Sequence, residues 1–156
     1  MGKALRILKS QKGSTIFYIF IIVFVILTLS AIIIEYFRLG TMYQQVEYEL
    51  QRGVNTAVEY AILDEYRRDD VLKMDIAIAQ QELYDYLNQN MKLDRELNKY
   101  SGNSFLYQLK MRTVSAAESP PRLTIEGWIR TRSIFNFLTG EIRLPFTISS
   151  SNNRMD

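Results

Sequence analysis

The chain contains no cysteine and no histidine among its 156 residues. It therefore cannot form disulfides, use a thiol nucleophile, build a Cys/His zinc site or use an imidazole as acid or base. An exported domain without disulfides is common in bacteria and less common among small secreted domains of eukaryotes. The composition thus favours a bacterial protein and excludes most histidine- and thiol-based chemistry.

The sequence also lacks a convincing catalytic or ligand-binding motif. The adjacent acids Asp69 and Asp70 lie at a predicted helix boundary, where such residues are typical of caps or solvated charge. A glycosidase-like carboxylate pair needs a defined separation across a cleft, which the spacing does not indicate. No phosphate-binding glycine loop or metal-ligand cluster occurs. We expect a protein that is not an enzyme and that needs no cofactor or metal.

A long uncharged segment extends from Gly13 to Ile34. An α-helix needs roughly 20 apolar residues to cross the hydrocarbon of a bilayer, so this segment is long enough. It is longer than the core of a secretory signal, which has about 7 to 15 apolar residues. Apolar side chains occur on every helical face, unlike a core helix of a soluble protein. The sequence predicts a transmembrane helix over 14–34.

Charges around this segment predict its orientation. Four basic residues and no acidic residue precede it: Lys3, Arg6, Lys9 and Lys12. Beyond it, the charges of Glu35 and Arg38 cancel. Residues 1–13 should therefore form a basic cytoplasmic leader, and the residues after the span should lie outside the cytoplasmic membrane. After the leader the chain has 15 basic and 17 acidic residues. This balance is not that of a nucleic-acid-binding protein.

Helical periodicity continues beyond the apolar segment. Apolar residues recur at spacings of three and four as far as Ala61, which predicts that the helix continues outside the membrane as a long amphipathic extension, stopping near residues 67–70. Gly40 and Gly53 are the positions where we expect bends. One or two further helices are predicted: a second helix should begin after Asp75 as N-cap, and a short third helix could follow Asp94 as its cap and end before Gly102. Residues 35–102 are therefore predicted to be helical.

The remaining sequence has the alternation of β-strands. Three segments with a period of two, around residues 105–112, 123–130 and 142–148, predict a three-stranded antiparallel meander over 103–150 packed on the helices. Pro145 has no backbone N–H and should lie in an edge strand. Residues 151–156 are expected to form a flexible tail. The predicted fold class is α+β.

One polar face of this sheet is a candidate contact surface. Trp128 should share that face with Arg130 and Arg132, and Trp and Arg are enriched at interfaces. Ordinary cross-strand packing, with cation–π contacts to the tryptophan, is the simpler interpretation. The following loop contains Phe135 and Phe137, which should either fill the core or dock on a partner.

The order of these segments resembles that of type IV pilin-like proteins. Within that group, "IIIEYFRLG" resembles the end of the apolar helix in the tight-adherence (TadE-like) family, with Glu35, Tyr36, Phe37 and Arg38 at the matching positions. The resemblance implies a pilin-like or pilus-assembly component that binds the lipid bilayer, other pilus or secretion-system membrane proteins, or further copies of itself as a homo-oligomer. Glu35 and Arg38 would then be interaction residues, whereas the simpler interpretation is an interfacial ion pair at i, i+3.

Two alternatives remain open at the level of function. The chain could instead be a bitopic accessory subunit of another envelope complex, such as secretion, division or sporulation machinery. An anchored receptor domain is a third class, without a pocket visible in the sequence. Gly13 and Ser14 would flank a prepilin-type cleavage site, but Tyr18 occupies the position where pilins have a glutamate that neutralises the new terminal amine. We therefore expect residues 1–13 to be retained.

Overall fold

The computed structural model describes residues 11–62 and 73–150, with the side chains of all of these except 11–14, 137 and 138. The chain divides into two compact units, Met1–Gly40 and Thr41–Asp156. Its elements in chain order are α1 Gln11–Ala61, α2 Ile76–Gln89, β1 Asn98–Ser101, β2 Ser104–Ala117, β3 Arg122–Arg132, α3 Asn136–Thr139 and β4 Glu141–Ser149. The described residues thus form an α+β fold, as predicted.

In the first unit, α1 is apolar and exposed. Its most apolar 18-residue window has a mean hydropathy of 3.0 with none of it buried, so one helix of the described chain is long and apolar enough to cross a membrane. The hydroxyls of Thr28 and Ser30 donate to the carbonyl oxygens of Phe24 and Ile26, at 2.9 Å and 2.8 Å. These bonds satisfy the two hydroxyls within the helix, as a hydrocarbon environment requires.

In the second unit, α1 buries one apolar face. The buried side chains follow the predicted spacing: Val46, Leu50, Val54, Ala57, Val58 and Ala61. The helix continues through both Gly40 and Gly53. It ends at Ala61 rather than near residues 67–70, which is a correction; residues 63–72 lie outside the described chain. The helix ends at Ala61 because contacts with a later part of the chain replace the helical hydrogen bonds. Ile62 pairs with Met74 as an antiparallel bridge, and Asp75 N–H donates to the Ala61 carbonyl at 2.9 Å.

Helix α2 begins as predicted at the N-cap Asp75. The carboxylate of Asp75 accepts hydrogen bonds from the backbone N–H groups of Ala77 and Ile78, which satisfies donors that have no partner inside the helix. Leu83 and Leu87 are fully buried. Gly53 of α1 allows α2 to approach closely, since a Cβ at Gly53 would lie 2.7 Å from the Tyr86 ring.

The predicted third helix is wrong, and β1 stands in its place. The carboxylate of Asp94 accepts hydrogen bonds from the backbone N–H groups of Glu96 and Asn98 and from the Asn98 side chain. Leu97 has a φ of 60°, which is incompatible with a right-handed helix. Asp94 therefore closes a turn from which the chain enters β1.

The sheet consequently has four strands rather than three. Their order is β1-β2-β3-β4 and each neighbouring pair is antiparallel, so β4 is an edge strand and Pro145 lies where the missing N–H is tolerated. One face is buried, including Leu109, Ile125 and Ile129. A β-bulge in β2 lies opposite Gly127, where a Cβ would be 2.1 Å from the Lys110 carbonyl oxygen. Glycine at 127 thus permits the bulge.

Candidate functional site

Gly13 and Ser14 lie within the helical backbone of α1, which begins at Gln11. Their side-chain environment is outside the described part of the structure. Helical backbone at these positions is compatible both with a retained leader and with a processed one. Retention of residues 1–13 therefore stays a prediction.

Glu35 and Arg38 form an ion pair at the end of the apolar segment. The guanidinium donates two hydrogen bonds to the carboxylate, at 2.7 Å and 2.9 Å, and the Glu35 side chain is only 7 % exposed. This geometry confirms the i, i+3 pairing that the sequence predicted, and it leaves the buried carboxylate compensated. An interaction with another subunit at these residues stays a prediction.

Two aromatic residues flank this ion pair. Tyr36 and Phe37 are 74 % and 66 % exposed, and their rings meet edge to face with centroids 5.9 Å apart. Exposed aromatic residues at the end of an apolar helix are typical of the membrane–water interface, where one part of the ring is apolar and its edge meets headgroups. The four residues thus form a local arrangement suited to a membrane boundary.

Trp128 lies on the sheet face opposite the buried side chains of Ile125 and Ile129, as the alternation predicted. It is half-buried, and its register neighbours are Lys110 on β2 and Pro145 on β4. A tryptophan flanked by a lysine and a proline has a flat apolar surface beside a positive charge. This is chemistry that suits a protein contact, although the contact itself stays a prediction.

Arg130 binds Glu141 on the neighbouring strand through two hydrogen bonds of 2.6 Å and 2.5 Å. The hydrogen bonds from Arg130 lower the pKa of the Glu141 carboxyl and raise the pKa of the guanidinium. Both side chains are more than a third exposed, so the pair contributes little to folding stability. It does fix the orientation of Arg130 on the outer face.

Arg132 contacts an aromatic pair that sequence reasoning did not identify. Its guanidinium carbon lies 5.6 Å from the centroid of the Phe105 ring, and that ring packs edge to face on Tyr100 at 5.9 Å. Arg132 thus makes a cation–π contact with Phe105, while cation–π contacts to Trp128 stay a prediction. A register shift between β1 and β2, after Lys99, brings Tyr100 opposite Phe105. The sequence prediction could not include this shift, because it assigned the residues of β1 to a helix.

The loop between β3 and β4, residues 133–140, contains α3 and is closed by its own hydrogen bonds. The Ser133 hydroxyl accepts from Phe135 N–H, and the Ser133 carbonyl accepts from Asn136 N–H, both at 3.0 Å. Ile134 is 60 % exposed and Phe135 is half-buried, while Phe137 lies within α3. The loop therefore presents an apolar side chain outward from a hydrogen-bonded backbone.

A shallow groove lies on the side of the second unit formed by α2 and the turn before β1. It has a volume of about 410 Å³, and its lining combines acidic, basic, neutral polar and apolar residues: Tyr84, Asp85, Asn88, Asp94, Arg95, Glu96, Leu97, Leu109, Lys110 and Met111. Within residues 11–62 and 73–150, no group of three or more potential ligands could hold a metal ion. The lining of this groove carries both charges and indicates no particular class of ligand.

Comparison with protein-family models, with curated proteins and with solved structures gives no match for this chain. The resemblance to the TadE-like family therefore depends on the sequence segments that suggest it.

Proposed function

We propose that the chain is a single-pass membrane protein that acts by protein–protein association, as a pilin-like or pilus-assembly component. Its N-terminus lies in the cytoplasm and its α+β unit lies outside the cytoplasmic membrane. One observation carries the proposal. Helix α1 is apolar and exposed in the first unit, whereas in the second unit the same helix supplies one face of a folded core.

The exposed part of α1 supports a membrane location on energetic grounds. The large apolar side chains between Ile16 and Ile34 are 41 % to 69 % exposed. Burial of one such side chain is worth about 1.5–3 kcal/mol, so exposure of this many to water would be strongly unfavourable. Lipid or neighbouring transmembrane helices would remove them from water. A segment that needs such an environment is suited to assemble with other helices in the bilayer.

Association outside the membrane is supported by the charge distribution. Residues 35–100 have a net charge of −5, and residues 101–156 have a net charge of +3. Arg130, Arg132 and Trp128 lie on strand β3 of the more basic part. Complementary charges steer and orient protein contacts. The sheet of one copy could thus face the acidic helices of a second copy or of a related membrane protein.

The orientation can be tested with single-cysteine variants, because the chain has no cysteine of its own. Thr147→Cys is at an exposed position of the sheet, and Ser10→Cys is in the predicted cytoplasmic leader. In cells without a wall, a membrane-impermeant maleimide should label Thr147→Cys directly and label Ser10→Cys only after permeabilisation. The reverse pattern would overturn the orientation.

The association is tested with two differently tagged copies expressed together. Cross-linking in the membrane and affinity purification should recover the second copy, or pilus-assembly proteins of the same membrane, and filaments sheared from cells should be examined for the chain. A chain that stays monomeric and recovers only proteins of an unrelated envelope complex would contradict the pilin-like role. Neighbouring genes for a secretion ATPase and a polytopic platform protein would support it.

A further inference from the structure

Strand β2 extends beyond the start of β1, which is its neighbour on one side. The first residue of β1, Asn98, is the register partner of Gln108, and the Leu109 N–H donates to the Leu97 carbonyl at 2.9 Å. Within the described chain, no strand pairs with β2 on this side after Leu109. From Lys110 onward, β2 is therefore an edge strand of the described sheet.

The backbone of Met111 faces this open edge. Consecutive residues of a strand direct their N–H and C=O groups to alternate sides, and Leu109 directs its N–H toward Leu97. Met111 is two residues further along, and the register shift in β2 comes only after it. Its N–H and C=O therefore point away from β3. Met111 thus offers one donor and one acceptor to a further strand.

The groove described above lies at this point of the edge. Its lining includes Leu97, Leu109 and Met111 on the sheet side, and Tyr84 and Asp85 on α2. A strand edge on one side and a helix on the other leave a space that one extended chain can occupy, pairing with the sheet through its backbone. The side chains of the groove indicate no class of ligand, whereas the backbone edge of β2 indicates an extended chain.

The two faces of β2 determine the charge pattern that such a chain needs. Met111 packs on the core, which α2 also helps to form, and Lys110 is exposed on the opposite face. A residue paired with Met111 would direct its side chain toward α2 and the Asp85 carboxylate, and the adjacent residue, paired with Lys110, would direct its side chain to the outer face. Opposite charges at cross-strand positions stabilise the pairing. The matching chain has a basic residue that faces Asp85 and an acidic neighbour that faces Lys110.

We propose that the edge of β2 at Met111 binds an extended segment of a partner protein, in which basic and acidic residues alternate, as a further strand. A second copy that pairs through the same edge is disfavoured, because an antiparallel pair centred on Met111 would set the like charges of Lys110 and Arg112 against each other. The inference concerns the Thr41–Asp156 unit alone. It depends neither on the membrane span nor on the pilin-like role.

The test uses the full chain in detergent micelles and a synthetic peptide of sequence TVEKEVT with a fluorophore at its N-terminus. Binding is followed by fluorescence anisotropy. Two matched peptides each carry one backbone N-methyl group, on the lysine or on the glutamate before it. N-methylation of the lysine removes the donor that would face Met111 and leaves every side chain unchanged. On the glutamate, the removed donor would face away from β2.

We expect the unmodified peptide and the N-methyl-glutamate peptide to bind with similar affinity, and the N-methyl-lysine peptide to bind about tenfold more weakly. Asp85→Asn and Lys110→Gln should each weaken binding of the unmodified peptide about threefold. The matched control is Glu59→Gln, which removes an exposed charge of α1 outside the groove. That variant should bind the peptide as the wild-type chain does.

Four results would overturn the proposal. If the unmodified peptide does not bind at millimolar concentration, the edge is not a site for a further strand. Equal binding of the two N-methylated peptides would show that the peptide backbone does not pair with β2. Unchanged binding to both Asp85→Asn and Lys110→Gln would place the peptide outside the groove. A disulfide between two Lys110→Cys chains, formed without peptide, would show that a second copy occupies the groove instead.

Discussion

The close approach of α1 and α2 at Gly53 gives a sharp test of the core packing. An alanine Cβ at Gly53 would lie 2.7 Å from Cδ1 and 3.0 Å from Cε1 of the Tyr86 ring, so the ring must move. Crowding of this kind costs about 1–3 kcal/mol. Alanine is also about 1 kcal/mol more favourable than glycine inside a helix, which offsets part of the cost.

The net expectation for Gly53→Ala is a loss of up to about 2 kcal/mol in the free energy of unfolding. It can be measured on the full chain in detergent micelles by urea unfolding, with the fluorescence of Trp128, the one tryptophan of the chain, as the probe of the sheet. The matched control is Gly40→Ala, where no atom lies within 4 Å of the new Cβ. That variant should not be destabilised.

A double-mutant cycle separates crowding from helix propensity. In a Tyr86→Ala background the ring is absent, so Gly53→Ala should stabilise the chain by about 1 kcal/mol instead of destabilising it. The sign of the effect should therefore reverse with the identity of residue 86. If Gly53→Ala stabilises the chain equally in both backgrounds, the close packing of α1 on α2 is refuted.

Further expectations concern the sheet, its entry turn and the N-terminus. Gly127→Ala should destabilise by about 3 kcal/mol in urea unfolding, because its Cβ would lie 2.1 Å from a backbone carbonyl oxygen; wild-type stability would contradict the bulge geometry. Hydrogen bonds from Asn98 lower the pKa of the Asp94 carboxyl in the folded chain. The stabilisation from the ionised carboxylate is therefore fully present above the ordinary carboxyl pKa and is lost as the pH falls through the lowered folded-state pKa. In a plot of the urea unfolding midpoint against pH, Asp94→Asn should reduce the fall of the midpoint at acid pH. Trp128→Ala should change the free energy of unfolding, followed by circular dichroism, by about 0.5 kcal/mol, against about 2–5 kcal/mol for the buried Ile129→Ala; equal losses would reverse the faces of β3. In intact-mass analysis of the membrane fraction, Gly13→Ala should change the mass of the chain only by the substitution itself. If the wild-type chain is mostly a species that begins at residue 14, and if Gly13→Ala abolishes that species, the chain is processed.

Elements dictated by local periodicity could be predicted from sequence. The apolar stripe of α1 from Val46 to Ala61, the N-cap at Asp75 and the alternation of β3 all reflect short-range spacing, and the structure confirms each of them. The edge position of Pro145 also followed from a local property, its missing N–H. These features needed no knowledge of the partner that each element packs against.

The features that sequence missed depend on distant parts of the chain. An aspartate can cap either a helix or a turn, and the pairing of β1 with β2 decides between these roles at Asp94. The end of α1 is likewise set by a bridge from Ile62 to Met74, which is twelve residues further along the chain. On the candidate surface, the outward face of Trp128 was predictable from alternation. The contact between Arg132 and Phe105 was not, since it depends on how β2 pairs with β3, and the sequence prediction did not include residue-by-residue pairing.

The hydrogen bonds of polar side chains on α1 indicate where its environment changes. Ser30 bonds to its own helix, which is the solution available in hydrocarbon, whereas Tyr43 donates across to a strand of the folded unit. Between them, Glu35 forms an ion pair with Arg38. A charged pair with outward aromatic neighbours is costly deep in lipid and favourable at the interface. For the membrane span proposed above, the boundary of the bilayer is therefore expected within residues 31–42, at the ion pair itself.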